Sequence, residues 1–98
     1  MFKFLALVNT KTGYTFLTGR GECKPVLSKT EIFEIAARSD ASNNKNYAQW
    51  AKNLSDVNSF HYKFFYAETS EAVRKEAEDW VHNNNWKIYP SKSRPTPV

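Results

Sequence analysis

Residues 2–9, FKFLALVN, form a nearly unbroken apolar run, interrupted only by Lys3 before Asn9. A run of that length bounded by turn residues suits a strand covered on both faces, and so the middle of a sheet. Its exit, Asn9-Thr10-Lys11-Thr12-Gly13, is turn chemistry: asparagine tolerates a left-handed backbone, and Gly13 takes positive φ without steric cost. Tyr14 to Thr18 is rich in aromatic and β-branched residues and reads as the return strand of a hairpin. From Phe60 to Tyr66 the pattern alternates, with Phe60, Tyr62, Phe64 and Tyr66 on one face and His61, Lys63 and Phe65 on the other. These runs predict a small antiparallel sheet of about three strands, with residues 2–9 between 14–18 and 60–66.

Three helices are expected around that sheet. Ser28-Lys29-Thr30-Glu31 is a capping box, so a helix should start at Ser28 and run through Ile32, Phe33, Ile35 and Ala36 to about Arg38. A second is expected from about Lys45 to Leu54, where Tyr47, Trp50, Ala51 and Leu54 recur at helical spacing. Thr69 or Ser70 should cap a third, from Glu71 to about Asn83, with Ala72, Val73, Ala77, Trp80 and Val81 as its buried stripe. Asn83-Asn84-Asn85 should end it, and Trp86 to Tyr89 reads as a short extended edge. Residues 90–98, with three prolines, Lys92 and Arg94, read as a flexible basic tail that joins no element. The expected fold is α+β in the order ββααβα, one domain over 1–89 followed by that tail.

Size and charge narrow the classes. At 98 residues there is room for one core, and 41% hydrophobic residues, among them seven Phe, five Tyr and three Trp, suffice to fill it. The net charge of +4 permits contact with phosphates without demanding it. Cys23 is the single cysteine, so no disulfide framework or cysteine metal cluster can form within one chain. No stretch approaches the roughly 18–20 apolar residues of a membrane span. A cytoplasmic protein without cofactor or membrane contact is the expectation. Gly19-Arg20-Gly21 is a loop with no Walker spacing behind it.

Several local signatures occur in one order. The hairpin from Leu5 to Thr18 carries an Asn-x-x-x-Gly turn, and Asn43 to Ala51 opens the second helix. Asn58-Ser59-Phe60 opens the last long strand, and Glu68 to Asn84 forms the last helix. Together they resemble the GIY-YIG nuclease domain over about residues 3 to 85. The resemblance implies that the family's first tyrosine falls on Leu5 and its second on Phe16. The family's first-helix arginine falls near Ile32, with Arg38 about two turns late. Glu76 (or Glu78) is similar in place to the metal-binding glutamate, and Asn84 to the late asparagine. In that family the phenols and a metal-bound carboxylate handle the attacking water, and the arginine steadies the phosphate's charge. Without the phenols and the arginine those parts are gone. Glu76 is then a vestigial metal position, since a lone glutamate does not hold a hard cation.

What the resemblance implies is a non-catalytic binding protein on a degenerate nuclease scaffold, of a size that suits a phage or mobile-element accessory factor. Its ligand would be nucleic acid or a nucleotide-like phosphate compound. The ligand-binding candidates are Tyr14, Arg20, Lys24, Arg38, Lys45 and Lys63, because cationic groups beside stacking rings hold phosphates and bases. All but Lys63 are expected at the end of the hairpin against the start of the first long helix, Tyr14, Arg20 and Lys24 from the return strand and its loop, Arg38 and Lys45 from either side of the inter-helix turn. Two other readings stay open. One is an inhibitor or adaptor that binds a protein through its aromatic surface. The other is a divergent endonuclease using Glu76, His61 or His82, and Tyr14.

Overall fold

The computed structural model describes residues 1–19, 28, 30–31, 60–88 and 93–98. The apolar run folds as β1, Phe2–Asn9, and the return strand as β2, Tyr14–Thr18. They pair antiparallel with Leu7 opposite Phe16 and Leu5 opposite Thr18. The turn between them works as its residues suggest. Gly13 has φ +77° and donates its N–H to Asn9 O at 2.8 Å, while Asn9 Oδ1 accepts from Lys11 N at 3.1 Å. On its other edge β1 pairs antiparallel with β3, Phe60–Ala67, setting Phe4 opposite Phe65 and Ala6 opposite Lys63. Residues 2–9 therefore do lie between 14–18 and the long aromatic strand.

One helix is complete among the described residues: α1, Ser70–Asn83. Thr69 is its N-cap, with Oγ1 accepting from Ala72 N at 3.1 Å, and Glu71 stands in the positive first turn. Val73, Ala77 and Val81, at helical spacing, are wholly buried against Phe4, Ala6, Leu17 and Phe65. Leu5, Leu7 and Phe16 are buried on the opposite face of the sheet. That two-sided burial is why β1 is continuously apolar, where a strand with one wet face would alternate.

The chain leaves α1 through a Schellman turn. Asn85 adopts φ +60°, its N–H bonds to His82 O at 3.0 Å, and Trp86 N bonds to Val81 O at 3.0 Å. The backbone is thereby turned toward β2, and Lys87 N donates to Gly13 O at 2.7 Å. Lys87–Ile88 forms β4, parallel to β2, with Lys87 opposite Tyr14. Thr96–Pro97 forms β5, antiparallel to the start of β1. The described sheet thus has the order β3-β1-β2-β4, with β5 also on β1.

This corrects the expected fold class. The described residues form one helix and a five-stranded mixed sheet, in place of three helices and about three antiparallel strands in the order ββααβα. The short extended edge expected at Trp86 to Tyr89 is β4 over its described part, whereas the two residues of β5 carry no alternation to read. The expected helices at 28–38 and 45–54 lie outside the described residues except at the capping box. There Glu31 N bonds to Ser28 Oγ at 3.2 Å, and Ser28 N to Glu31 Oε1 at 3.3 Å. The terminal segment, expected to join no element, is packed over 93–98. Pro95 is buried, Ser93 Oγ lies 3.0 Å from Thr18 Oγ1, and Thr96 Oγ1 donates to Gly19 O at 2.8 Å. Proline is compatible with this place because β5 is too short to need a continuous ladder of donors.

Candidate functional site

Four rings meet where β3, α1 and the Schellman turn converge. His61 sits on the α1-facing side of β3, opposite Val8, and its ring stacks on Trp80 with centroids 5.9 Å apart at 27°. Trp80 in turn meets Trp86 edge-on at 5.1 Å and Phe65 at 5.6 Å. Edge-to-face contact suits the ring quadrupoles. Helix geometry alone does not bring Trp80 and Trp86 together, since six residues separate them. The left-handed Asn85 folds Trp86 back.

Lys63 is the cation of this cluster. Its ammonium lies 5.2 Å from the Phe65 ring centroid and 5.8 Å from that of Trp80, within cation–π range. The side chain is exposed, with its stem laid along the aromatic surface. Beyond it an open groove of about 550 Å³ runs between β3 and α1, lined by Lys63, Phe65, Glu76, Asp79, Trp80 and Asn83. Glu76, Asp79, Trp80 and Asn83 recur at i, i+3, i+4 and i+7, which sets them on one stripe of α1. Asp79 Oδ2 is bound by Lys75 Nζ at 2.8 Å, an exposed pair on the helix surface.

Of the expected ligand-binding residues, Lys63 stands in this cluster and Tyr14 does not. Tyr14 is opposite Asn9, one step out of phase with Ala6 and Val8, and so belongs to the sheet face away from α1. There the Lys87 ammonium lies 5.5 Å from its ring centroid. Arg20, Lys24, Arg38 and Lys45 lie outside the described residues. Glu76 is exposed on the groove stripe, and among the described residues no group of three His, Cys, Asp or Glu side chains could hold a metal ion. Leu5 and Phe16, onto which the resemblance would set the two tyrosines, are buried to within 1%.

Trp80 corrects a further expectation. The sequence pattern sets it in the buried stripe with Ala72, but it is only partly buried and Ala72 is exposed. At 3.6 residues per turn Ala72 points away from the Val73–Ala77–Val81 stripe, and Trp80 packs from the side of that stripe against β3. Trp86 is not among the expected site residues, and His61 is named only for the endonuclease reading. The asparagine run before Trp86 was the available signal, since asparagine accepts the left-handed turn that aims the next residue inward.

Compared with family models, curated proteins and solved structures, the chain gives no match. Among the described residues no helix is long and apolar enough to cross a membrane.

Proposed function

We propose that this chain is a non-catalytic binding protein that holds a nucleic acid or a nucleotide-like phosphate ligand on the α1 side of its sheet. The observation that carries the reading is the exposed Lys63 ammonium over Phe65 and Trp80, beside the His61 and Trp86 rings. Rings at the rim accept the faces of bases, and an adjacent ammonium neutralises a phosphate. Two further features support it. Leu5 and Phe16 are apolar, and burial keeps them from any ligand, so neither offers an acid or a base where the resembled family carries tyrosines. Glu68 precedes α1 and Glu71, Glu76, Glu78 and Asp79 lie on it, so a ligand's phosphate is repelled by the helix and held at Lys63, while an uncharged base is free to lie against the groove.

Few phosphates are therefore engaged, and the salt dependence should be shallow. Each phosphate contacted on a single strand contributes a slope of about −0.7 in log K against log salt. Titration of a short single-stranded oligonucleotide, followed by tryptophan fluorescence, tests this. Lys63→Ala should weaken binding and remove roughly one such increment. If neither oligonucleotides nor mononucleotides perturb the tryptophan emission, the reading is wrong and an aromatic surface for a protein partner takes its place.

A further inference from the structure

We infer that the groove between β3 and α1 recognises an unpaired guanine base, with Trp80 as its wall and the Glu76 carboxylate as its acceptor. The inference rests on the binding reading above and adds the identity of the base. A carboxylate only accepts hydrogen bonds, so whatever it recognises must present N–H or O–H groups. Asp79 is already engaged by Lys75, whereas Glu76 makes no ion pair among the described residues. Glu76 and Trp80 are one helical turn apart on the groove stripe, so a planar base packed on the groove side of Trp80, clear of the His61 stack, lies beside the carboxylate.

Guanine alone among the common bases places two N–H donors, N1–H and the N2 amino group, side by side to match both carboxylate oxygens. Adenine and cytosine set a ring-nitrogen lone pair beside their amino group. Uracil and thymine flank their N3–H with carbonyl oxygens, which a carboxylate repels. Asn83, further along the stripe, can donate and accept at the remaining base atoms. The groove, about 550 Å³, is within the usual range of small-ligand sites. A cationic ligand is the rival for a site of rings and carboxylates. Lys63 disfavours it, since its own ammonium already lies over Phe65 and Trp80 and would repel a second cation. A neutral base meets no such repulsion. The exposed lysine can leave the rings for the ligand's phosphate, because a cation–π contact at an exposed site is weak.

The four nucleoside monophosphates and four single strands, each with one different central base in an otherwise fixed sequence, are titrated against the full chain. Guanine should bind roughly five- to a hundred-fold tighter than the other bases, the discrimination of one bidentate pair. Glu76→Gln, which sets an amide N–H₂ against the guanine donors, should abolish that preference while leaving base-independent binding. Glu71→Gln, in the first helical turn and outside the groove, should leave the preference intact. Preference in the monophosphates marks a free nucleotide as the ligand, and preference only in the strands marks a guanine within a chain. Binding without base preference, or a preference that survives Glu76→Gln, overturns the guanine site and leaves the binding reading standing. No binding in any titration overturns both.

Discussion

Trp80→Ala tests how much of the fold depends on the aromatic rim. Emptying a wholly enclosed aromatic site costs about 3–5 kcal/mol. Trp80 is partly buried and packs on the core from its edge, so a smaller loss is expected, about 2–3 kcal/mol. The edge-on contacts with Phe65 at 5.6 Å and Trp86 at 5.1 Å belong to that sum. Such pairs contribute about 0.5–1.5 kcal/mol each beyond area burial. In a domain of this size the loss corresponds to a fall in Tm of about 10–20 °C. Urea unfolding should show a lower midpoint with an unchanged slope, since the surface exposed on unfolding hardly alters. Phe4→Ala, at a site with no exposure, is the reference and should cost more. A double-mutant cycle with Trp86→Ala should return a coupling of about 0.5–1.5 kcal/mol. A loss below about 1 kcal/mol for Trp80→Ala would refute the packing of the three rings, and one equal to Phe4→Ala would make Trp80 an ordinary core residue.

Thr15 Oγ1 is buried and has no hydrogen-bond partner among the described residues, so Thr15→Val should be neutral or stabilise by up to about 1–2 kcal/mol in urea unfolding. Gly19→Ala would drive a methyl group into Arg94 O and Thr96 Cγ2; it should destabilise by at least about 1 kcal/mol and release protection of the Val98 amide in hydrogen exchange. Lys75 has its pKa raised by the hydrogen bond from its ammonium to Asp79 and by that carboxylate's charge. Any stability from this pair is therefore present below the ordinary lysine pKa and lost as pH rises through the raised value. Because both side chains are exposed, Lys75→Met should leave the midpoint at neutral pH nearly unchanged.

Much of the frame was legible in residue order. The apolar run of β1, the Asn9–Gly13 turn, the alternation of β3 and the Thr69 cap are local signals, each decided within a few residues by sterics or by the nearest hydrogen-bond partner. The core stripe Val73, Ala77 and Val81 follows from helical periodicity alone. The candidate site was legible only in part. Lys63 and Glu76 could be singled out as a cation and a carboxylate, but their meeting in one groove depends on how α1 lies along β3. Strand parity decided that Tyr14 and Lys63 face opposite sides of the sheet, because a shift of one residue in register exchanges every side chain between faces. Trp80 joins His61 and Trp86 through a turn whose direction rests on one left-handed asparagine. The two-residue strands β4 and β5 owe their existence to partners distant in sequence, Tyr14 and Thr15 for one and Phe2 and Lys3 for the other. Nothing within two residues can encode such a partner. The local chemistry determined which segments could be strand, turn or helix, and the long-range pairing decided which of their side chains share a surface.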